Sequence, residues 1–106
     1  MSKIPYEKYY NNLGQVAVLY SPGYGAGWFS WENEEGLLFD KEIVEHVLSG
    51  NFDAAAKYAE DKYGAYAGGA SQLKIAWIYP GTQFNIHEYD GSESIEYEYD
   101  KKWIIA

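Results

Sequence analysis

Residues 39–64 read FDKEIVEHVLSGNFDAAAKYAEDKYG, and this stretch sets a helical middle between two strand-forming flanks. Asp40 is a good N-cap, because its carboxylate can accept a backbone N–H that the first helical turn leaves without a partner. Phe39 and Val44 stand at the N′ and N4 positions of a hydrophobic staple. Ile43, Val44, Val47 and Leu48 form one apolar stripe, and Ser49-Gly50 supplies a C-terminal stop. A second helix is expected to start near Asn51 or Asp53 and to end at Gly64. Its Asp53–Lys57 and Lys57–Asp61 pairs fall at i,i+4. Phe52, Ala55, Ala56, Ala59 and Tyr63 give it a thin apolar face, with alanines that allow close approach to a neighbour.

Outside this pair the period changes. Gln15–Tyr20 is β-branched and apolar on both faces, as a strand central in its sheet would be. Ser21-Pro22-Gly23 closes it in the order a type II turn wants. On the other side, Leu73–Tyr79 reads as an apolar strand closed by Pro80-Gly81. Thr82–Tyr89 alternates, with Phe84 and Ile86 on one face and Asn85 and His87 on the other. Asp90-Gly91 fits a type I′ hairpin turn. Glu93–Tyr99 returns with Ile95, Tyr97 and Tyr99 inward and Glu96 and Glu98 outward, and Lys102–Ala106 is a candidate final strand. Gly68-Gly69 reads as a hinge-like linker, and residues 1–14 as a polar, loosely packed segment ending in a turn at Asn11-Asn12-Leu13-Gly14. The expectation is a single α+β domain over residues 1–106, in the order β-α-α-β-β-β(-β). Four to five antiparallel strands would form one sheet, with two helices on one face.

With 106 residues there is room for one core and not for two. Cysteine is absent, which removes disulfides and thiolate metal sites. Met1–Glu7 lacks the apolar run of a secretory leader, and no apolar run approaches bilayer-spanning length, so the expected location is the cytoplasm, without membrane association. All 8 basic residues are lysine and the net charge is −8. Nucleic-acid readers rely on arginine for bidentate contacts and on positive surface for phosphate, so no nucleic-acid partner is expected.

Two stretches are candidates for function. Ser21–Trp31 carries glycines at 23, 25 and 27 beside Tyr24, Trp28, Phe29 and Trp31. Alternate glycines are conformationally costly, so something must require unusual backbone or close approach there. The loop does not open directly into a helix as a dinucleotide fingerprint does, and it lacks the Gly-Lys-Ser/Thr of a Walker loop. As a site it would be a pocket built from Pro22, Tyr24, Gly25, Gly27, Trp28 and Trp31 with His87 nearby, binding a small planar or nucleotide-like ligand by stacking and backbone N–H contacts. As structure, the aromatics would be core plugs and the glycines would let the loop turn beneath them. The second stretch, Glu88–Asp100, holds six carboxylates and no base. Glu88, Asp90, Glu93, Glu96 and Glu98 would dock on a basic protein, or else form a solvated face that discourages edge-to-edge strand pairing.

Metal and catalytic signals are thin. His46 and His87 lie on different elements, Glu88, Asp90 and Glu93 lack the alternation of an EF-hand loop, and no metal or cofactor is expected. Ser21 lacks a nucleophile elbow. His87 with Glu88 or Asp90 is the remaining general-base candidate.

The run VAVLYSPGYGAGW, followed by LLFDKEIVEHV, WIYPGTQFNIHEYDGSESIE and a Trp-Ile-Ile end, resembles a group of short uncharacterised proteins of tailed phages and bacteria. Lysine-only usage with many Tyr, Ile and Asn suits the AT-rich coding of many phages. The resemblance implies a stand-alone protein, of the kind often directed at host systems in the host cytoplasm, and carries no activity with it. The expected function is therefore a non-enzymatic inhibitor or sequestering protein using the Gly-aromatic loop. The alternatives are an acidic inhibitor of a basic host protein acting through residues 88–100, and a small hydrolase using His87. A homodimer would suit a tyrosine-rich sheet face.

Overall fold

The computed structural model describes residues 4–23, 27–29, 34–65, 69–89, 92–97 and 104–105. The chain is α+β, as expected, with a radius of gyration of 12.8 Å. In order it forms β1 (Val16–Tyr20), a single helical turn α1 (Gly36–Phe39), α2 (Lys41–Leu48), α3 (Phe52–Tyr63), a 3-10 turn (Ala70–Gln72), β2 (Lys74–Ile78), β3 (Gln83–Tyr89), β4 (Ser92–Tyr97) and β5 (Ile104–Ile105).

The helices begin and end where their sequence signals lie. Asp40 caps α2, its side chain accepting from the Glu42 N–H at 3.0 Å, and Phe39 and Val44 of the staple are both buried. Asn51 caps α3 through Ala54, and Gly64 ends it in the left-handed region. The Lys57–Asp61 pair forms at 3.2 Å on the exposed side. Helix α1 was not expected. It is one turn without a side-chain N-cap, so it follows from its surroundings, since all four of its residues are buried. Gly36 within it is required by packing, because a Cβ there would overlap the Tyr63 ring.

The strands divide into two ladders where one sheet was expected. β1 pairs antiparallel with β2, Val16 opposite Ile78 and Tyr20 opposite Lys74. β3 lies between β4 and β5 in a second ladder, with Ile86 opposite Ile95 and Phe84 opposite Ile104. Tyr89 opposite Ser92 leaves a two-residue connection, while the turn type expected at Asp90-Gly91 lies outside the described residues. Val16, Ala17, Val18 and Leu19 are all fully buried, which agrees with an apolar strand covered on both faces. β1's edge away from β2 is covered by the N-terminal segment: Tyr10 bridges Val16, and the Ala17 N–H donates to the Tyr9 carbonyl. That segment docks closely. Tyr6 stacks on Phe39 with ring centroids 6.1 Å apart, and Tyr9 packs against Trp77.

Gly69 is not a hinge. It is buried against Ser21 and Gly27, and a Cβ there would overlap the Gly27 carbonyl and come 2.7 Å from Ser21 Oγ, while Gly68 of the expected linker lies outside the described residues. Gly69→Ala should therefore destabilise the fold by about 1–3 kcal/mol through overpacking. Gly50→Ala, at a position with open space, should act through its positive φ alone and cost less. Paired urea titrations check this ordering.

Candidate functional site

Ser21, Pro22, Gly27 and Trp28 form a clasp around one buried carboxylate. Glu93 is 1% exposed. Its Oε1 accepts the Ser21 N–H at 3.0 Å and its Oε2 accepts the Trp28 N–H at 2.9 Å. Its own N–H donates to the Ser21 carbonyl at 2.8 Å. Around it, Ser92 Oγ donates to the Pro22 carbonyl and Ser21 Oγ to that of Gly69. Backbone N–H groups converging on a carboxylate give strong, charge-assisted bonds in a dry setting, and the geometry needs the positive φ of Gly27. The loop therefore supplies an anion nest whose anion comes from the chain itself.

This revises two expectations. Glu93 was expected on a partner-facing acidic surface. It is buried instead, because it is paired with loop donors remote in sequence. Trp28 was expected to stack on a ligand. Its ring is fully enclosed, and its indole N–H donates to the Leu37 carbonyl at 2.6 Å, so it offers no open face. Phe29 is buried too, while Pro22 is half-buried. Tyr24, Gly25, Trp31, Asp90 and Glu98 lie outside the described residues. His87 and Glu96 share the outer face of the β3–β4 ladder, with Nδ1 and Oε2 3.7 Å apart and both side chains at least half exposed. Glu88 is exposed nearby. The structure thus joins Pro22, Gly27, Trp28 and Glu93 in the clasp, sets His87 and Glu96 on an open strand face, and places exposed Glu88 on the opposite face, across from Glu93. Among the described residues, no three His, Cys, Asp or Glu side chains are arranged to hold a metal ion.

A second assembly is built on Asp40, of which the N-cap alone was legible in the sequence. This carboxylate is 2% exposed. Besides capping α2 through Oδ1, it accepts through Oδ2 from Lys62 Nζ at 2.8 Å and Tyr63 OH at 2.6 Å. Its backbone bridges Lys8, and the Lys41 N–H donates to the Glu7 carbonyl, so the N-terminal segment is tied to the same corner. Lys62 Nζ also lies 5.5 Å from the Tyr58 ring centre. Burial, reinforced by the Asp40 bond, raises the Tyr63 phenol far above its usual range. Burial pulls Lys62 down, but its hydrogen bonds to Asp40 and Tyr58 and its attraction to both together outweigh this and leave it raised.

Beside this corner opens a cleft of about 470 Å³ between Pro5–Glu7 and helices α2 and α3. Tyr6 and Tyr58 line it, with Glu42, Glu45 and Lys41 along α2 and the Asp40–Lys62 pair at its base. Both rings are held in place, Tyr6 by its stack on Phe39 and Tyr58 by the edge of His46 and the Lys62 ammonium. The cleft could not be found in the sequence, because it joins residues 5–7 to residues 40–62 and no spacing signals that contact. In comparisons with protein-family models, curated proteins and solved structures, nothing matches this chain.

Two stability predictions follow from these carboxylates. Glu93→Gln keeps the shape but replaces one acceptor oxygen by a donor, so at neutral pH it should cost about 1–3 kcal/mol in urea titration. For Tyr63, a folded-state pKa raised above the ordinary phenol value of about 10 favours the protonated form, so its contribution is complete below pH 10 and fades above it. Tyr63→Phe should lower stability near neutral pH by about 1 kcal/mol and make the loss between pH 10 and 11 shallower than in the parent, as read by chemical denaturation across pH.

Proposed function

We propose that the protein is a non-enzymatic binding protein whose ligand sits in the cleft between Pro5–Glu7 and helices α2 and α3. The observation that carries this reading is the cleft, whose volume of about 470 Å³ falls within the range of small-molecule sites. Two immobilised tyrosine rings give a flat ligand apolar area at little entropic cost, since the rings are already ordered. Glu7, Glu42 and Glu45 at the lip oppose a polyphosphate tail, so the planar ligand is one without such a tail. In this reading the Gly-aromatic loop supports the fold and is not the ligand's seat.

A second reading is favoured by the exposed hairpin. Glu88 and Glu96 stand on the surface with Tyr89 at 71% exposure, a pattern suited to docking on a basic protein. Among the described residues, the hydrolase reading is supported by the His87–Glu96 pair, which stands on an open strand face and not in a cavity.

Native mass spectrometry of the protein from bacterial cytosol, set against its denatured mass, tests the cleft reading. A discrete non-covalent adduct is expected, and Tyr58→Leu should lose it while retaining the parent's circular dichroism spectrum. A bare subunit mass that persists after incubation with a metabolite extract would reject a small-molecule site. Survival of the adduct in Tyr58→Leu would move the site away from the cleft.

A further inference from the structure

We infer that the ligand of this cleft carries a guanidinium group, bound flat against the tyrosine walls and paired with the carboxylates of α2. The inference rests on the cleft being the binding site and adds the chemistry of its occupant. Four carboxylates, Glu7, Asp40, Glu42 and Glu45, line the cleft against two ammonium groups, Lys41 and Lys62. The Lys62 charge is already matched by Asp40 at 2.8 Å, so the lip is left negative. The whole chain carries −8, which draws cations toward that lip. The phenol of Tyr6 has its pKa raised by burial first and then by the negative charges of Glu35 and Asp40.

The walls narrow the class of cation. A cation over a tyrosine face is attracted by the ring quadrupole, and this corner already holds one, the Lys62 ammonium near the Tyr58 ring. A guanidinium combines three properties that an alkylammonium lacks: it is flat, weakly hydrated, and forked to meet a carboxylate with two parallel bonds. Arginine is absent from the chain, so no side chain of the protein itself fills that role. Such a group can arrive on a free small molecule or on an arginine side chain of a partner.

The test is a titration of the isotope-labelled full chain, followed by amide NMR shifts, with agmatine as probe. Cadaverine serves as a dication without the planar end and adenosine as a flat neutral molecule. Agmatine should shift the amides of Tyr6, Glu42, Glu45 and Tyr58 and bind about tenfold more tightly than cadaverine. Glu45→Gln, at an exposed position without a packing role, should weaken it several-fold, and Tyr58→Leu should weaken it about tenfold. Acetyl-arginine amide binding more tightly than agmatine would assign the group to a partner's side chain, and the reverse order to a free small molecule; either supports guanidinium recognition. Equal affinity for agmatine and cadaverine would overturn it in favour of general charge attraction. Adenosine binding in the cleft without agmatine binding would overturn the ligand class and leave the cleft reading standing. If none of the probes shifts the cleft amides, and the adduct measured by mass spectrometry is also absent, both readings fall.

Discussion

A carboxylate taken out of water must be met by donors that replace its hydration, and the fold is arranged around how Asp40 meets that demand. One oxygen closes the first turn of α2; the other receives Lys62 and Tyr63 from α3. Its backbone holds Lys8, and through Lys41 the next peptide holds Glu7. One residue therefore fixes the crossing of two helices and the path of the N-terminal segment. Removing a single partner would leave a buried charge under-satisfied, which is why such groups act more as constraints on geometry than as sources of net stability. The missing side chain at Gly36 belongs to the same arrangement, since it leaves room for the Tyr63 ring to pack there.

Glu93 repeats this solution elsewhere in the molecule. There the donors are backbone N–H groups of a glycine-bearing loop, and the carboxylate comes from the β3–β4 hairpin. The two carboxylates divide the work. Asp40 organises the helical layer and the cleft beside it, while Glu93 ties the first strand's exit to the second ladder and lets Trp28 enter the core. The apolar core includes Val16–Leu19, Leu37–Phe39 and Phe84. Phe39 is its junction, stacked on Tyr6 and edge-on to Phe84.

What could be read in the sequence was what local chemistry decides. The caps at Asp40 and Asn51, the stops after Leu48 and Tyr63, and the alternation of Phe84, Asn85, Ile86 and His87 all depend on neighbours within a few residues. The division of the strands into two ladders depends on pairings between distant segments, and composition does not encode those. Glu93 shows how the two kinds of signal compete. Its position in the strand puts it on the same face as Ile95, yet an acidic residue in an acidic hairpin reads as surface. The parity was the better guide, because the loop brings N–H donors that make burial tolerable. The cleft was hidden for a related reason. Tyr6 and Tyr58 sit in unremarkable contexts, and only the docking of the N-terminal segment sets them around one space.

The clasp also has a meaning in time. As the chain is synthesised, α2 and α3 have all their capping partners as soon as residue 64 has emerged. The Ser21 N–H must wait for a carboxylate made 72 residues later. The strand Val16–Leu19 lacks its β2 partner until residues 74–78 are made, and Trp28 lacks the acceptor that sets its backbone until Glu93 follows. Closing contacts over such separations is entropically slow, so the helical hairpin should order first and the glycine loop last. The nascent protein would therefore keep the buried strand Val16–Leu19 unpaired until residue 78 is made, and the turn after it unclasped until Glu93 follows.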